Sequence, residues 1–254
     1  MLRHVHVTRY VTPFKEGGSL PALVEADDLG LYVLKFRGAG QGVRALVAEI
    51  IVGELARAAG FRVPELLIAQ LGPELGRNEP HDEIRDLLNA SVGQNLALDY
   101  LPGAITFDPL ADETVPVDLA SQLVAFDILS TNVDRTPRNP NLLVWHRQLW
   151  LIDHGAAVYV HHGWEDWETR ATAPFPLARQ HVLQPRATQL AEAAEGLQQV
   201  LTPEILAHCI GLVPEAWLES DPAFASSAAA RAAYNTWFTR RLAALPALVE
   251  GVGP

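Results

Sequence analysis

One stretch of this chain constrains the fold more than any other. It runs from Phe126 to Gly155 and reads FDILSTNVDRTPRNPNLLVWHRQLWLIDHG. A polar, proline-containing loop leads to two short apolar runs, Leu142 to Trp145 and Leu149 to Ile152, and then to Asp-His-Gly. Short apolar runs separated by a polar turn predict a β-hairpin. The pattern therefore predicts a hairpin that follows directly on Asn141 and leads into Asp153.

The polar side chains of this stretch suit phosphoryl transfer from a nucleotide, in which positioning and charge neutralisation supply most of the catalysis. Asp134 suits the carboxylate that accepts or orients the proton of the attacking hydroxyl. Arg135 could fix that carboxylate or bind a phosphate. Magnesium takes oxygen ligands and only one or two protein carboxylates, so Asp153 and an asparagine amide oxygen suit the metal. The order of these groups is that of a kinase, and it predicts Asp134 and Arg135 as catalytic residues.

Two asparagines are candidates for the second metal ligand. Asn139 is five residues after Asp134, the spacing found in protein kinases. Asn141 directly precedes the Leu-Leu-Val strand, as the metal-binding asparagine does in the same pattern. We favour Asn141, because its place at the start of a strand fixes the direction of its side chain. The spacing of Asn139 is a weaker guide, since it is counted through a loop with two prolines. Asn139 would then cap or shape the loop.

Bulk composition narrows the function classes. A chain of 254 residues with 49% hydrophobic content can bury a sizeable core. The formal charge of −11 disfavours binding to nucleic acids through a general positive field. One cysteine, Cys209, excludes an intrachain disulfide. The sequence shows neither a signal-peptide core nor an apolar run of membrane-spanning length, which predicts a cytoplasmic protein without a membrane partner.

The N-terminal region predicts a small antiparallel sheet. His4 to Val7, Leu20 to Ala26 and Leu31 to Phe36 are the strand candidates. A glycine-bearing turn joins the first two, and it is either a plain hairpin turn or a loop whose backbone amides cover nucleotide phosphates. In the second case, the nucleotide-binding residues of this turn are Gly17, Gly18 and Ser19.

Lys35 and Glu49 form the second candidate group. Alternation in the third strand puts Tyr32, Leu34 and Phe36 on one face and Lys35 on the other, where it lies either in solvent or in a cleft. A helix from 43 to 59 places Glu49 among apolar neighbours, where a carboxylate needs a cation. We predict a Lys35–Glu49 ion pair that holds the lysine on the nucleotide phosphates. A different partner for Glu49 remains the alternative.

A change of composition near residue 102 predicts two domains. An apolar strand, Asn95 to Leu101, ends at Pro102-Gly103, and most of the chain beyond is helical, beginning with a buried helix from 117 to 130. The predicted fold is α+β and two-lobed like a protein kinase. Residues 1–101 form a small β-rich lobe with one main helix, and residues 102–254 form a larger helical lobe. Adenine would be bound by the backbone of the hinge, at Asp99, Tyr100 and Leu101.

Four segments together resemble the HipA-like kinases, within the wider group that includes the phosphatidylinositol kinases. They are YVLKF with Lys35, AEIIVGELARAAGFRVPE with Glu49, NVDRTPRNPNLLV, and LWLIDHG. The resemblance covers about residues 10 to 160. It implies a two-lobed kinase fold, MgATP as the nucleotide, and transfer of the γ-phosphate to a hydroxyl, in relatives often that of a protein serine or threonine. The chain departs from the pattern at His154, where phenylalanine is usual, and in its lack of a recognisable glycine-rich signature.

Three other functions stay open on the sequence. A pseudokinase would bind ATP as a scaffold without turnover. An AMP transferase would use the same fold and transfer the nucleotide instead of the phosphate. A metal hydrolase would use the histidines His146, His154, His161 and His162, although their spacing lacks the helical His-x-x-x-His geometry of zinc sites.

Overall fold

The computed structural model describes residues 1–14, 20–40, 42–77, 79–110 and 115–252. These residues form two compact units. The first comprises Met1–Leu46 and Pro64–Pro102, and the second comprises Val47–Val63 and Gly103–Pro254. The predicted domains, 1–101 and 102–254, assign residues 47–63 differently. That division stays a prediction.

The first unit is built on five strands that close into a barrel in the order β1-β2-β3-β5-β4. Its strands are β1 (Arg3–Pro13), β2 (Ala22–Ala26), β3 (Leu31–Lys35), β4 (Leu66–Leu71) and β5 (Gly93–Asp99). Four pairs are antiparallel, but β1 and β4 are parallel. The predicted antiparallel sheet of the first three strands is confirmed. The parallel pairing with β4 was not predicted, because local alternation carries no information on which distant strand closes the barrel.

The faces of β3 follow the predicted alternation. Tyr32, Leu34 and Phe36 are buried in the apolar core of this unit. Lys35 is half-buried on the other face and pairs with Leu96 of β5. The helix α1 (Gly42–Ala58) begins in this unit, and α2 (Asp82–Ala90) packs Leu88 into the same core.

The second unit is mostly helical. Its helices are the remainder of α1, α3 (Val117–Ser130), α4 (Trp167–Arg170), α5 (Leu190–Val200), α6 (Pro203–Gly211), α7 (Glu215–Glu219) and α8 (Ser227–Glu250). A three-stranded sheet joins β6 (Ile105–Thr106), β7 (Leu142–Trp145) and β8 (Gln148–Leu151). The hairpin β7–β8 and the bounds of α3 confirm the sequence prediction, whereas β6 was not predicted because it is only two residues long.

Buried side chains explain the position of α3 in this unit. Every residue of α3 from Ala120 to Ser130, apart from Gln122, is buried, and α3 packs against both α5 and α8. At the start of α6, Pro203 occupies the first turn and the Thr202 side chain accepts a hydrogen bond from Ile205 N. In the described part of the chain, no helix is both long and apolar enough to cross a membrane.

Candidate active site

The candidate site begins where α3 ends. Thr131 follows the helix with φ of 52°, in the left-handed region, and its N–H donates to the Asp127 carbonyl. The next residue, Asn132, donates its N–H to the same carbonyl at 3.0 Å. A left-handed residue is a common way to end a helix, but a β-branched residue is rare there. The chain thus leaves α3 abruptly and enters the loop that carries Asp134, here called the base loop, residues 131–141.

The Asp134 carboxylate is the point on which the base loop converges. Its Oδ2 accepts hydrogen bonds from Asn139 Nδ2 at 2.8 Å and from Asn141 Nδ2 at 3.2 Å. The backbone N–H of Asp134 donates to Asn132 Oδ1 at 3.1 Å. Two side-chain amides that donate to one carboxylate oxygen hold that oxygen in place. The arrangement therefore orients a half-buried carboxylate as an acceptor, as a general base requires.

Asn141 and Asp153 flank one end of the hairpin. Leu142 pairs with Leu151, and one position further out Ile152 N donates to the Asn141 carbonyl at 3.1 Å. Asn141 has φ of 48° and Asp153 has φ of 56°. Asparagine and aspartate tolerate this left-handed conformation better than other side chains. One amide oxygen and one carboxylate oxygen at one end of a rigid hairpin are a donor set that fits Mg²⁺.

Arg135 holds the base loop from the inside. It is 1% exposed, its Nε donates to Asp127 Oδ2 at 2.6 Å, and its Nη1 donates to the Asn141 carbonyl at 2.5 Å. One guanidinium therefore joins α3 to the start of β7. Of its two predicted roles, fixing the loop or binding a phosphate, these buried contacts favour the first, and the catalytic assignment of Arg135 stays a prediction.

His181 is a second partner of Asp127, and sequence reasoning did not predict it. Its Nε2 lies 2.9 Å from Asp127 Oδ2, while its Nδ1 accepts the N–H of Leu183 at 2.9 Å. Because Nδ1 is an acceptor, the ring proton is on Nε2 and the imidazole is neutral. Burial by itself would raise the pKa of Asp127, but the charge of Arg135 and the hydrogen bond from His181 lower it below its ordinary range. Burial also lowers the pKa of His181, despite the opposing effect of Asp127.

The segment that follows Gly155 is attached to the end of α3 and to the base loop. Val158 N donates to the Ser130 carbonyl at 2.7 Å, and Tyr159 N donates to Thr131 Oγ1 at 3.2 Å. Further along, Val182 N donates to the Arg135 carbonyl at 3.0 Å. These bonds run from backbone to backbone or to a hydroxyl, so they define the path of residues 156–182, which we call the post-hairpin segment.

Arg241 of α8 also binds this region. The residue is 1% exposed, and its guanidinium donates to the carbonyls of Ile128 at 2.6 Å and of Leu129 at 2.9 Å, in the last turn of α3. It also donates to the carbonyl of Ala171 at 3.1 Å, in the post-hairpin segment. Burial lowers the pKa of Arg241 to about 10, so the group is still a cation at neutral pH. A cation suits the negative end of a helix dipole.

The predicted nucleotide-binding residues lie in the first unit. Lys35 is in β3. The backbone amides of Asp99 and Tyr100 donate to the carbonyls of Glu65 and Leu31, respectively. Adenine would therefore need other backbone groups of this segment. Leu101 is buried. The remaining candidates, Gly17, Gly18 and Ser19, lie outside the described residues. The convergence of Lys35 with the two acids stays a prediction.

Glu49 is buried, as its place on α1 predicts. It is 0% exposed, and its Oε1 lies 3.7 Å from Nδ1 of His154, which is equally buried. His154 is the residue that stands where kinases usually have phenylalanine. At this distance the imidazole nitrogen lies near the carboxylate, beyond hydrogen-bond length, and a phenyl ring has no such polar atom. The predicted pairing of Glu49 with Lys35 stays a prediction beside this contact.

Comparison with known protein families shows to which family the chain belongs. The model of the HipA-like kinase family matches residues 7–241. The chain belongs to the HipA-like kinase family. A HipA-like kinase is a phosphotransferase, as the kinase order of Asp134, the asparagines and Asp153 had indicated.

Solved structures agree on the fold of this HipA-like kinase. The proinflammatory kinase CtkA of Helicobacter pylori has a TM-score of 0.57 at 9% identity, with 100% of this chain and 99% of CtkA covered. The Golgi casein kinase with Mn/ADP bound has a TM-score of 0.52 at 13% identity, with 98% of this chain and 73% of that chain covered. Comparison with curated proteins finds no match. The strand-rich N-terminal part and helical C-terminal part confirm the predicted kinase-like α+β fold.

The buried Asp127–His181 pair gives this HipA-like kinase a predictable sensitivity to acid. A group whose pKa is lower when folded binds protons more readily in the unfolded chain, so stability falls as the pH falls. For His181 the loss begins near its ordinary pKa of about 6.5, and for Asp127 it follows at lower pH. We expect the urea midpoint to drop between pH 7.5 and pH 5.5. The His181→Gln variant, which keeps a neutral donor, should drop less, and an equal drop in both would contradict the assignment.

Proposed function

We propose that this HipA-like kinase transfers the γ-phosphate of MgATP to the hydroxyl of a protein serine or threonine. One observation carries the proposal. Asp134 Oδ2 accepts hydrogen bonds from the side-chain amides of Asn139 and Asn141, beside the hairpin that leads to Asp153. A base and a metal donor set are thereby neighbours in sequence and in one unit. This is the combination that phosphoryl transfer requires.

The proposed reaction assigns one role to each group. The acceptor hydroxyl oxygen forms a bond to the γ-phosphorus, the bond between that phosphorus and the β,γ-bridging oxygen breaks, and ADP leaves. The hydroxyl proton passes to the Asp134 carboxylate. When Mg²⁺ is bound, it neutralises charge on the phosphates, and Asp153 and Asn141 would hold it. The position of Asn141 beside Ile152 supports it over Asn139 as the metal ligand.

The first unit would supply the remaining nucleotide contacts. We propose that Lys35 binds the phosphates and that Glu49 orients it, with Gly17, Gly18 and Ser19 covering the phosphates. Adenine would lie against the segment Asp99 to Leu101. Arg135 would hold the base loop in place and not touch the substrate, since it is buried between Asp127 and the Asn141 carbonyl.

Two features support the choice of nucleotide and acceptor. A Golgi casein kinase of similar fold carries Mn/ADP, which supports a nucleotide together with a divalent metal in this chain. The name of that enzyme describes a protein acceptor, which supports a protein hydroxyl here. A cytoplasmic location is part of the same proposal.

Replacement of the proposed base tests this function directly. Asp134→Asn keeps the shape of the side chain and removes its basicity, so transfer should slow by about 10²- to 10⁴-fold. The dissociation constant for ATP should change by less than about threefold, because the base binds the acceptor and not the nucleotide. The measurements are release of ADP, transfer of label from [γ-³²P]ATP, and calorimetric titration with MgATP. Asp86→Asn, an exposed aspartate on α2, is the matched control.

The rival functions give different results in the same assays. An AMP transferase incorporates label from [α-³²P]ATP into protein. A pseudokinase binds MgATP, yet the wild type releases ADP no faster than Asp134→Asn. Either result would overturn the proposed γ-phosphate transfer.

A further inference from the structure

We propose that His181 is a positioning residue of the base loop, which it holds through Asp127 and Arg135. This inference rests on the proposed function, in which Asp134 of that loop is the base. His181 belongs to the post-hairpin segment and is not one of the predicted site residues. It would make the competence of the base depend on the correct docking of this segment.

A continuous series of hydrogen bonds connects His181 to the base. His181 Nε2 donates to Asp127 Oδ2 at 2.9 Å, and the same oxygen accepts Arg135 Nε at 2.6 Å. Arg135 Nη1 then donates to the Asn141 carbonyl at 2.5 Å. The amide of Asn141 in turn donates to Asp134. Displacement of the Asp127 carboxylate would therefore reach the base within three contacts.

A second route links the same carboxylate to the other side of the base. Asn132 Nδ2 lies 3.4 Å from Asp127 Oδ1, and Asn132 Oδ1 accepts the N–H of Asp134 at 3.1 Å. The residue after His181, Val182, donates its N–H to the Arg135 carbonyl. Residues 181 and 182 thus contact both the side-chain support and the main chain of the base loop.

The charge balance explains why a neutral imidazole suits this position. Asp127 carries one negative charge and Arg135 one positive charge, and both are buried. A second cation would leave the cluster with a net buried charge, which is costly. His181 donates a hydrogen bond without adding charge, because Leu183 N occupies its Nδ1. The ring is thereby held in the tautomer that points its proton at Asp127.

Two substitutions separate positioning from simple core packing. Glutamine places its side-chain nitrogen near the Nε2 position and keeps the donor to Asp127. Asparagine keeps an acceptor near the Nδ1 position for Leu183 N but is too short to reach Asp127. Both are neutral, polar and smaller than histidine, so loss of packing alone would affect both. Melting temperatures of both variants establish that they fold.

The expected result is a split between the two variants. His181→Asn should lower kcat for γ-phosphate transfer by about 10²-fold, the effect of a small misplacement of a catalytic group, while KM for ATP stays within about threefold. His181→Gln should recover kcat to within about threefold of the wild type. Hydrogen–deuterium exchange over residues 132–141 should rise in His181→Asn and stay at the wild-type level in His181→Gln.

The exchange measurement keeps this inference separate from the proposed function. A wild type that transfers no γ-phosphate would overturn the function, and the exchange of residues 132–141 would still report on the role of His181. Wild-type exchange of the base loop in His181→Asn, or equal changes in both variants, would overturn the positioning role. In an active enzyme, an unchanged kcat in His181→Asn would do the same.

Discussion

Asp153→Ala is expected to reduce γ-phosphate transfer to background, a loss of at least about 10³-fold, comparable to the removal of a major electrostatic stabiliser of the transition state. Asp153 supplies the one carboxylate in the proposed Asn141–Asp153 donor set, so its loss leaves the metal without a charged ligand from the hairpin. Asp153→Asn keeps an oxygen ligand and should act more mildly, with half-maximal activity shifted to a higher Mg²⁺ concentration. Steady-state ADP release over a Mg²⁺ titration measures both effects.

The control for Asp153 must reproduce its backbone conformation. Asp166 has φ of 50°, close to the 56° of Asp153, and it is exposed at the start of α4. Asp166→Ala therefore imposes a similar backbone strain without touching the hairpin. It should retain wild-type turnover and Mg²⁺ dependence. Wild-type turnover in Asp153→Ala would exclude Asp153 from the metal site.

The largest effect on stability is expected at Arg241. In Arg241→Met, the buried carbonyls of Ile128, Leu129 and Ala171 lose their donor, and an unsatisfied buried polar group costs about 1–3 kcal/mol. Because the losses at neighbouring carbonyls are not additive, we expect the free energy of unfolding to fall by about 3–5 kcal/mol. For a protein of this size that corresponds to a drop in Tm of roughly 6–20 °C. Urea and thermal denaturation measure it.

The adjacent Arg240 provides the comparison. It bonds Glu168 at the surface, where both side chains are largely exposed, and exposed ion pairs contribute about 0–1 kcal/mol. Arg240→Met should therefore melt close to the wild type. Arg241→Lys keeps the charge but has too few donors for the carbonyls, so it should lie between the two. If Arg241→Met and Arg240→Met have the same unfolding midpoint, the buried hydrogen bonds of Arg241 do not stabilise the fold.

His154, which departs from the usual kinase pattern, lies near the buried Glu49 carboxylate. The phenylalanine that is usual in this place has no polar atom, whereas Nδ1 of His154 lies 3.7 Å from a Glu49 oxygen inside the second unit. Glu49 therefore lies near His154, just after the hairpin. Its predicted ion pair with Lys35 stays a prediction. The sequence identified both residues, but only separately.

Local sequence patterns were sufficient to predict several elements of this kinase and the order of its candidate site residues. Period-two alternation identified the buried face of β3, and continuous apolar spacing predicted α3 with its correct bounds. The order of Asp134, Asn141, the hairpin and Asp153 was visible because these residues are close in sequence. Each of these features depends on neighbours within one element or one turn, so the sequence carries the signal itself.

Other features were decided only by the tertiary structure. The parallel β1–β4 pair closes the barrel, His181 reaches Asp127 across 54 residues, and Arg241 reaches Leu129 across 112 residues. A lone histidine in a weakly periodic stretch and an arginine on an alanine-rich helix have no local signature. Their roles arise because burial forces each polar group to find a partner. Which partner lies within reach depends on how the helices pack, and spacing along the chain does not encode that.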